Sequence, residues 1–148
     1  MGTWNLYGRI GATVVTAGVA ALAGCSTMSN IMHGGQQVAL SGSNEVPPVS
    51  TMASGSGTVT VNTDCTLTAR IEASGMTATA AHIHQGAVGS NGPVIVPFTK
   101  AGDNTFVAPE GAKMTEAQCA AYKAGNTYVN VHSAKNPGGE IRAQLKGS

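Results

Sequence analysis

The chain has 148 residues, a formal net charge of +1 and 10% charged residues. That length holds one ordinary domain, and the near-neutral balance lacks the basic stripe of a nucleic-acid binder, so no nucleic-acid partner is expected. A hydrophobic content of 42% supports a core and argues against wholesale disorder; beyond Gly24 no apolar run approaches the ~20 residues of a membrane-spanning helix.

Met1 to Arg9 carries one positive charge, and Ile10 to Gly24 (IGATVVTAGVAALAG) carries none. A charged start, an apolar stretch and a small-residue exit are the parts of a secretory signal peptide, predicted over residues 1–24. The exit, Leu22-Ala23-Gly24-Cys25, resembles the lipobox of bacterial lipoproteins. That resemblance implies that Cys25 is diacylated and becomes the first mature residue; the alternative is an ordinary secreted protein cleaved nearby. Ser26 in place of Asp implies delivery to the outer membrane, with the domain facing the periplasm. Residues 25–37, polar, Gly-containing and without periodicity, read as the lipidated Cys and a tether, followed by a domain over 38–148.

Only Phe98, Phe106, Tyr122 and Tyr128 remain as aromatics past the leader, so the core must rest on Val, Ile, Leu and Ala. Val38 to Ser41 is predicted as an edge strand ending before Pro47-Pro48. Gly57 to Asn62 and Leu67 to Glu72 alternate strictly, and Asn62-Thr63-Asp64 between them supplies turn chemistry for a hairpin. Ala78 to His84, Pro93 to Phe98, Thr105 to Ala108, Thr127 to His132 and Glu140 to Leu145 are further strand candidates. Thr115-Glu116-Ala117-Gln118 has the form of a capping box opening an Ala-rich helix over Glu116 to Ala124, with Gly125 as its stop. Many short strands with one short helix predict an all-β fold, an antiparallel β-sandwich of immunoglobulin-like or superoxide-dismutase-like Greek-key type. Once Cys25 is consumed by lipid, Cys65 and Cys119 form an even pair in an oxidising compartment and are predicted to be bridged; two buried free thiols are the alternative. A CxxC motif is absent, so thiol redox chemistry is not the expected function.

His82 and His84 stand two apart in a strand and share a face, with Ala81 and Ile83 on the core side. In Tyr128-Val129-Asn130-Val131-His132 the valines take the core side, which sends His132 outward with Asn130. All three histidines are therefore expected on the non-core, solvent-reachable side of their strands. If the strands are neighbours, three imidazoles converge. Three neutral imidazoles suit copper, with zinc as the alternative cofactor, and leave an open coordination position. Outer-face histidines that are merely solvated are the plainer alternative.

Five blocks in order resemble the CHRD domain, named after chordin. They are Asn44-Glu45-Val46-Pro47-Pro48-Val49, Ala80 to Gly86, Asn91 to Val96, Gly125 to Ser133 and Asn136 to Arg142. The resemblance spans Gln37 to Leu145 and implies an exported β-sandwich; chordin's use of the domain in an extracellular antagonist of growth factors implies binding rather than catalysis. An H-x-H strand followed much later by a His before a Gly-rich turn is also similar to the copper ligands of copper-zinc superoxide dismutase. That similarity assigns His82 and His84 to its H-x-H pair and His132 to its late ligand. Its bridging imidazole and zinc ligands have no counterpart here.

Around these residues, Glu45 is a candidate to orient a ligand histidine, Arg142 to attract an anion or pair with Glu45, and Asn130 to brace the hairpin. In the tether, Met28 and Met32, beside His33, are candidates to present soft thioether ligands to Cu(I), with flexible apolar filler as the commoner reading. No Walker pattern, dinucleotide pattern or nucleophile-base pair is present. The expected function is that of a lipid-anchored envelope domain that binds copper in copper handling. The alternatives are a metal-free module for an envelope protein or glycan partner, and a superoxide-dismutase-like redox enzyme.

Overall fold

A computed structural model describes residues 1–2 and 34–147. The predicted signal segment, Cys25, Met28, Met32 and His33 lie outside the described residues. Among the described residues, no helix is long and apolar enough to cross a membrane.

The elements are β1 (Gln36–Ser41), β2 (Ser54–Val61), β3 (Leu67–Ser74), β4 (Ala78–Gln85), β5 (Val94–Pro97), β6 (Thr99–Lys100), β7 (Thr105–Val107), α1 (Glu116–Lys123), β8 (Thr127–Ser133) and β9 (Ile141–Leu145). They form one antiparallel sheet in the order β5-β4-β8-β9-β1-β2-β3-β7-β6. The two ends of that order are consecutive in the chain. The segment Val94–Lys100 pairs first with β4 and then with β7, and at its midpoint the Phe98 N–H donates to Ala81 O at 3.0 Å. The sheet therefore coils back on itself into the expected all-β sandwich-like body with one helix.

Alternation fills the interior. Val59, Ile71, Ile83, Val129, Val131, Ile141, Leu145 and Phe106 are almost wholly removed from water, and the area they withdraw is the main stabilising term. The hairpin of β2 and β3 is in full register from Ser54–Ser74 to Val61–Leu67. The capping box holds: the Gln118 N–H donates to Thr115 Oγ1, and Gln118 Oε1 accepts from the Thr115 N–H. This pair satisfies donors that the first helical turn leaves free. Gly125, at a φ of +74°, turns the chain out of the helix, and the helix delivers Cys119 and Tyr122 to the core.

Two expectations are corrected. β1 is not an edge strand: it pairs with β2 along its length and meets β9 at Ser41–Arg142, so the first and last strands adjoin in the middle of the sheet. The face carrying the histidines is not an open patch: His84 and His132 are buried, and only His82 keeps partial exposure. Every residue of β8 is buried, because loops cover its outer side as the core covers its inner side. Asn44 Nδ2 donates to Arg142 O, and Asn91 Nδ2 donates to Val46 O at 2.6 Å, which ties the two covering loops together.

Cys65 and Cys119 are disulfide-bonded across 54 residues of chain. Closing a loop of that length removes about 4 kcal/mol of unfolded-state entropy. Reduction of the folded protein is expected to lower its melting temperature by on the order of 10 °C, measured by calorimetry with and without reductant; an unchanged midpoint would contradict this.

Candidate metal centre

The outer face of the β4–β8–β9 ladder carries the site. Register sets His82 opposite Asn130, and Asn130 opposite Arg142; the next row sets His84 opposite Tyr128, and Tyr128 opposite Gln144. His132 stands one outward position further along β8, diagonal to His82. The strand period of two therefore brings three imidazoles, an amide and a guanidinium onto one surface. Ring centroids lie 4.7 Å apart for His82–His132, 5.5 Å for His82–His84 and 6.0 Å for His84–His132. One ligand nitrogen from each ring falls within 4.8 Å of the others. At a bond length of ~2.1 Å an ion reaches donors up to about 4.2 Å apart, so closure on a single ion needs ring movements of less than about 1 Å.

Backbone carbonyls set the direction of two of the rings. His84 Nδ1 lies 2.9 Å from Gly92 O, and His132 Nδ1 lies 2.9 Å from Pro137 O. A carbonyl only accepts, so both Nδ1 atoms carry the proton and both Nε2 atoms keep a lone pair. The lone pair of His84 Nε2 is buried without a hydrogen-bond partner, and that of His132 Nε2 faces His82 Nδ1 at 3.0 Å. Fixing the far nitrogen of a ring on a carbonyl is how protein matrices hold imidazoles for a metal.

A stack supports His84. Its ring lies on Tyr128, with centroids 4.9 Å apart and planes 8° from parallel, and the Arg142 guanidinium sits 3.3 Å over the other side of Tyr128. The Tyr128 hydroxyl accepts from the Gly92 N–H at 3.2 Å, so the same tyrosine also places the carbonyl that orients His84. Sequence reasoning missed Tyr128, although its outward position in β8 was available from the alternation that placed Asn130 and His132. The carbonyls of Gly92 and Pro137 left no side-chain signal to find.

Arg142 is almost fully buried. Its donors go to Asn91 Oδ1, Ser90 O, Ala87 O and Gln144 Oε1. The guanidinium is thus spent on the loop that carries Gly92, and it makes no ion pair with Glu45. Glu45 is also buried, and its Oε1 has no hydrogen-bond partner. Burial raises its pKa, against the opposing charge of Arg142 and the nearby Asn130 amide. Glu45 does not hold a histidine, because the Nδ1 atoms of His84 and His132 are on carbonyls. Asn130 reaches the imidazoles instead, with Oδ1 2.9 Å from His132 Nε2.

The CHRD domain model matches residues 36–145. The chain belongs to the CHRD-domain family. No curated protein and no solved structure matches it. Within this CHRD domain the family-like blocks converge on the histidines. One supplies Glu45, another His82 and His84, a third Gly92, a fourth Asn130 and His132, and the last Pro137 and Arg142. The arrangement is compatible with metal binding, since it brings three imidazoles together and leaves one ring, His82, only partly buried.

Burial lowers the pKa of all three imidazoles. His82 falls to about 4, with repulsion from His132 and His84 adding to desolvation; the shifts of His84 and His132 have the same sign and the same leading cause. The unfolded chain, with ordinary histidine pKa values near 6.5, therefore binds more protons than the fold. This contribution is complete above pH 6.5 and is lost as pH falls toward about 4. The raised pKa of Glu45 acts in the opposite sense, so the test is a difference. Between pH 7.5 and pH 5 the metal-free protein should lose more melting temperature than its His82→Gln variant. Equal losses would contradict the assignment.

Proposed function

We propose that this CHRD-domain protein is a lipid-anchored envelope domain that binds copper through His82, His84 and His132 and serves in copper handling. The observation that carries the reading is the pair of carbonyl-fixed rings, which leave His84 Nε2 buried without a partner and His132 Nε2 directed at His82. A buried acceptor with no donor is costly in a fold that holds no other reason for it. An ion bound among the three rings would supply the partner that His84 Nε2 lacks.

Copper is favoured over zinc by the donor set. Affinities of nitrogen sites rise to Cu(II) and fall again at Zn(II). The only cysteines among the described residues are bridged to one another, so no thiolate competes for the ion. A role in binding and transfer is favoured over dismutation, because the guanidinium that would draw a small anion is committed to loop oxygens. The lipobox-like run ending at Cys25 supports an anchor. Lipidation through that residue would supply more than the single acyl chain that holds a protein only marginally at a membrane.

Titration of the purified chain with Cu(II) against a competing chelator is expected to give one tight equivalent. His82→Ala, His84→Ala and His132→Ala should each weaken it by about tenfold or more. Three variants that bind like the parent would remove the reading and favour a metal-free binding module. Separately, Cys25→Ser is expected to move the protein from the membrane fraction to the soluble fraction of cells that express it. Continued membrane retention would contradict lipidation at this residue.

A further inference from the structure

His132 presents more acceptors than a neutral ring can serve. Its Nδ1 lies 2.9 Å from Pro137 O and its Nε2 lies 2.9 Å from Asn130 Oδ1. A neutral imidazole has one N–H, so one of these contacts sets a lone pair against an oxygen. Three arrangements would relieve it. A second proton on His132 is opposed by its burial. Rotating the Asn130 amide would turn its oxygen toward Glu45. Glu45 Oε1 and Asn130 Nδ2 already crowd one point, 2.5 and 2.6 Å from where a Cβ on Gly139 would sit. Glu45 Oε1 is buried without a hydrogen bond, and a carbonyl oxygen in place of the amide nitrogen would put two acceptors together. The third arrangement is a cation shared by His132 Nε2 and Asn130 Oδ1.

Resting on the three-histidine reading, we propose that Asn130 Oδ1 is a fourth ligand, that the donor set is three nitrogens and one oxygen, and that this set selects Cu(II) over zinc. Gly139, with a φ of +131° and no Cβ, leaves room for Glu45 against the Asn130 amide nitrogen. Glu45 is the positioning residue that turns the amide oxygen toward the imidazoles. The spacings fit the selection. His132 Nε2 lies 2.9 Å from Asn130 Oδ1 and 3.0 Å from His82 Nδ1. Donors so spaced subtend about 90° at an ion ~2.0–2.1 Å away, whereas a tetrahedral zinc site holds them about 3.4 Å apart. Right angles with nitrogen and oxygen donors are the tetragonal arrangement of Cu(II).

The test loads the full chain with Cu(II) and reads affinity by chelator competition and coordination by electron paramagnetic resonance. Asn130→Val is expected to weaken Cu(II) binding by about 10–100-fold. It should alter the tetragonal spectrum while keeping the coupling to imidazole nitrogens, and change Zn(II) affinity less than Cu(II) affinity. Asn130→Asp, which keeps an oxygen at the position, should bind Cu(II) at least as tightly as the parent, with a spectrum shifted by the carboxylate. An Asn130→Val protein with parental affinity and spectrum would overturn the proposal. If that variant fails to fold, an Asn130→Asp protein indistinguishable from the parent would overturn it as well. Retained imidazole coupling in that event would leave the three-histidine site standing. A parent spectrum with no imidazole coupling would remove the site and this proposal together.

Discussion

A neutral imidazole has a single N–H to give, and in this protein His84 and His132 both give it to the backbone. The rest of the site follows from that commitment. Once the Nδ1 protons are fixed on Gly92 O and Pro137 O, the two Nε2 lone pairs are left under the loops with only each other, His82 and the Asn130 oxygen for company. Donors point away from the centre and acceptors point into it, and such a centre is complementary to a cation rather than to an anion or an apolar ligand. His82 is the one ring of the three that keeps partial exposure to solvent.

The fold makes this possible by burying a sheet on both faces. The inner face of β4, β8 and β9 packs Ile83, Val129, Val131 and Ile141, which anchors the strands in register. The outer face carries polar side chains that would ordinarily be solvated. They are instead roofed by the Glu45 loop, the Ala87–Gly92 loop and the turn at Pro137. Arg142 holds the second of these loops through three oxygens while it packs on Tyr128. One residue therefore couples the loop that carries Gly92 to the ring that stacks on His84. A buried cation committed this way positions the loop, and an exposed arginine at the same place would not.

Much of this was legible in the sequence. Strict alternation in Gly57 to Asn62 and Leu67 to Glu72, the capping box at Thr115 and the even pair Cys65–Cys119 each rest on local chemistry, and each has its counterpart in the structure. The period of two in Ala80 to His84 and Tyr128 to His132 sufficed to put three histidines on one face. What alternation does not encode is what covers that face. The roof comes from loops remote in sequence, so the burial of Arg142 and Glu45 could not be read from their own segments. The central place of β1 was hidden for the same reason: its partner β9 lies at the other end of the chain, and the nearby Pro47-Pro48 pair suggested an edge. The carbonyls of Gly92 and Pro137 belong to the backbone, and residue identity does not report their direction.

Anomalous diffraction at the copper edge, from crystals of the copper-loaded chain, tests the central claim most directly. One strong anomalous peak is expected within coordinating distance of His82, His84 Nε2 and His132 Nε2, with the Nδ1 atoms of His84 and His132 still on Gly92 O and Pro137 O. A peak at the Met28 and Met32 segment instead, or three rings with no copper among them, would contradict it.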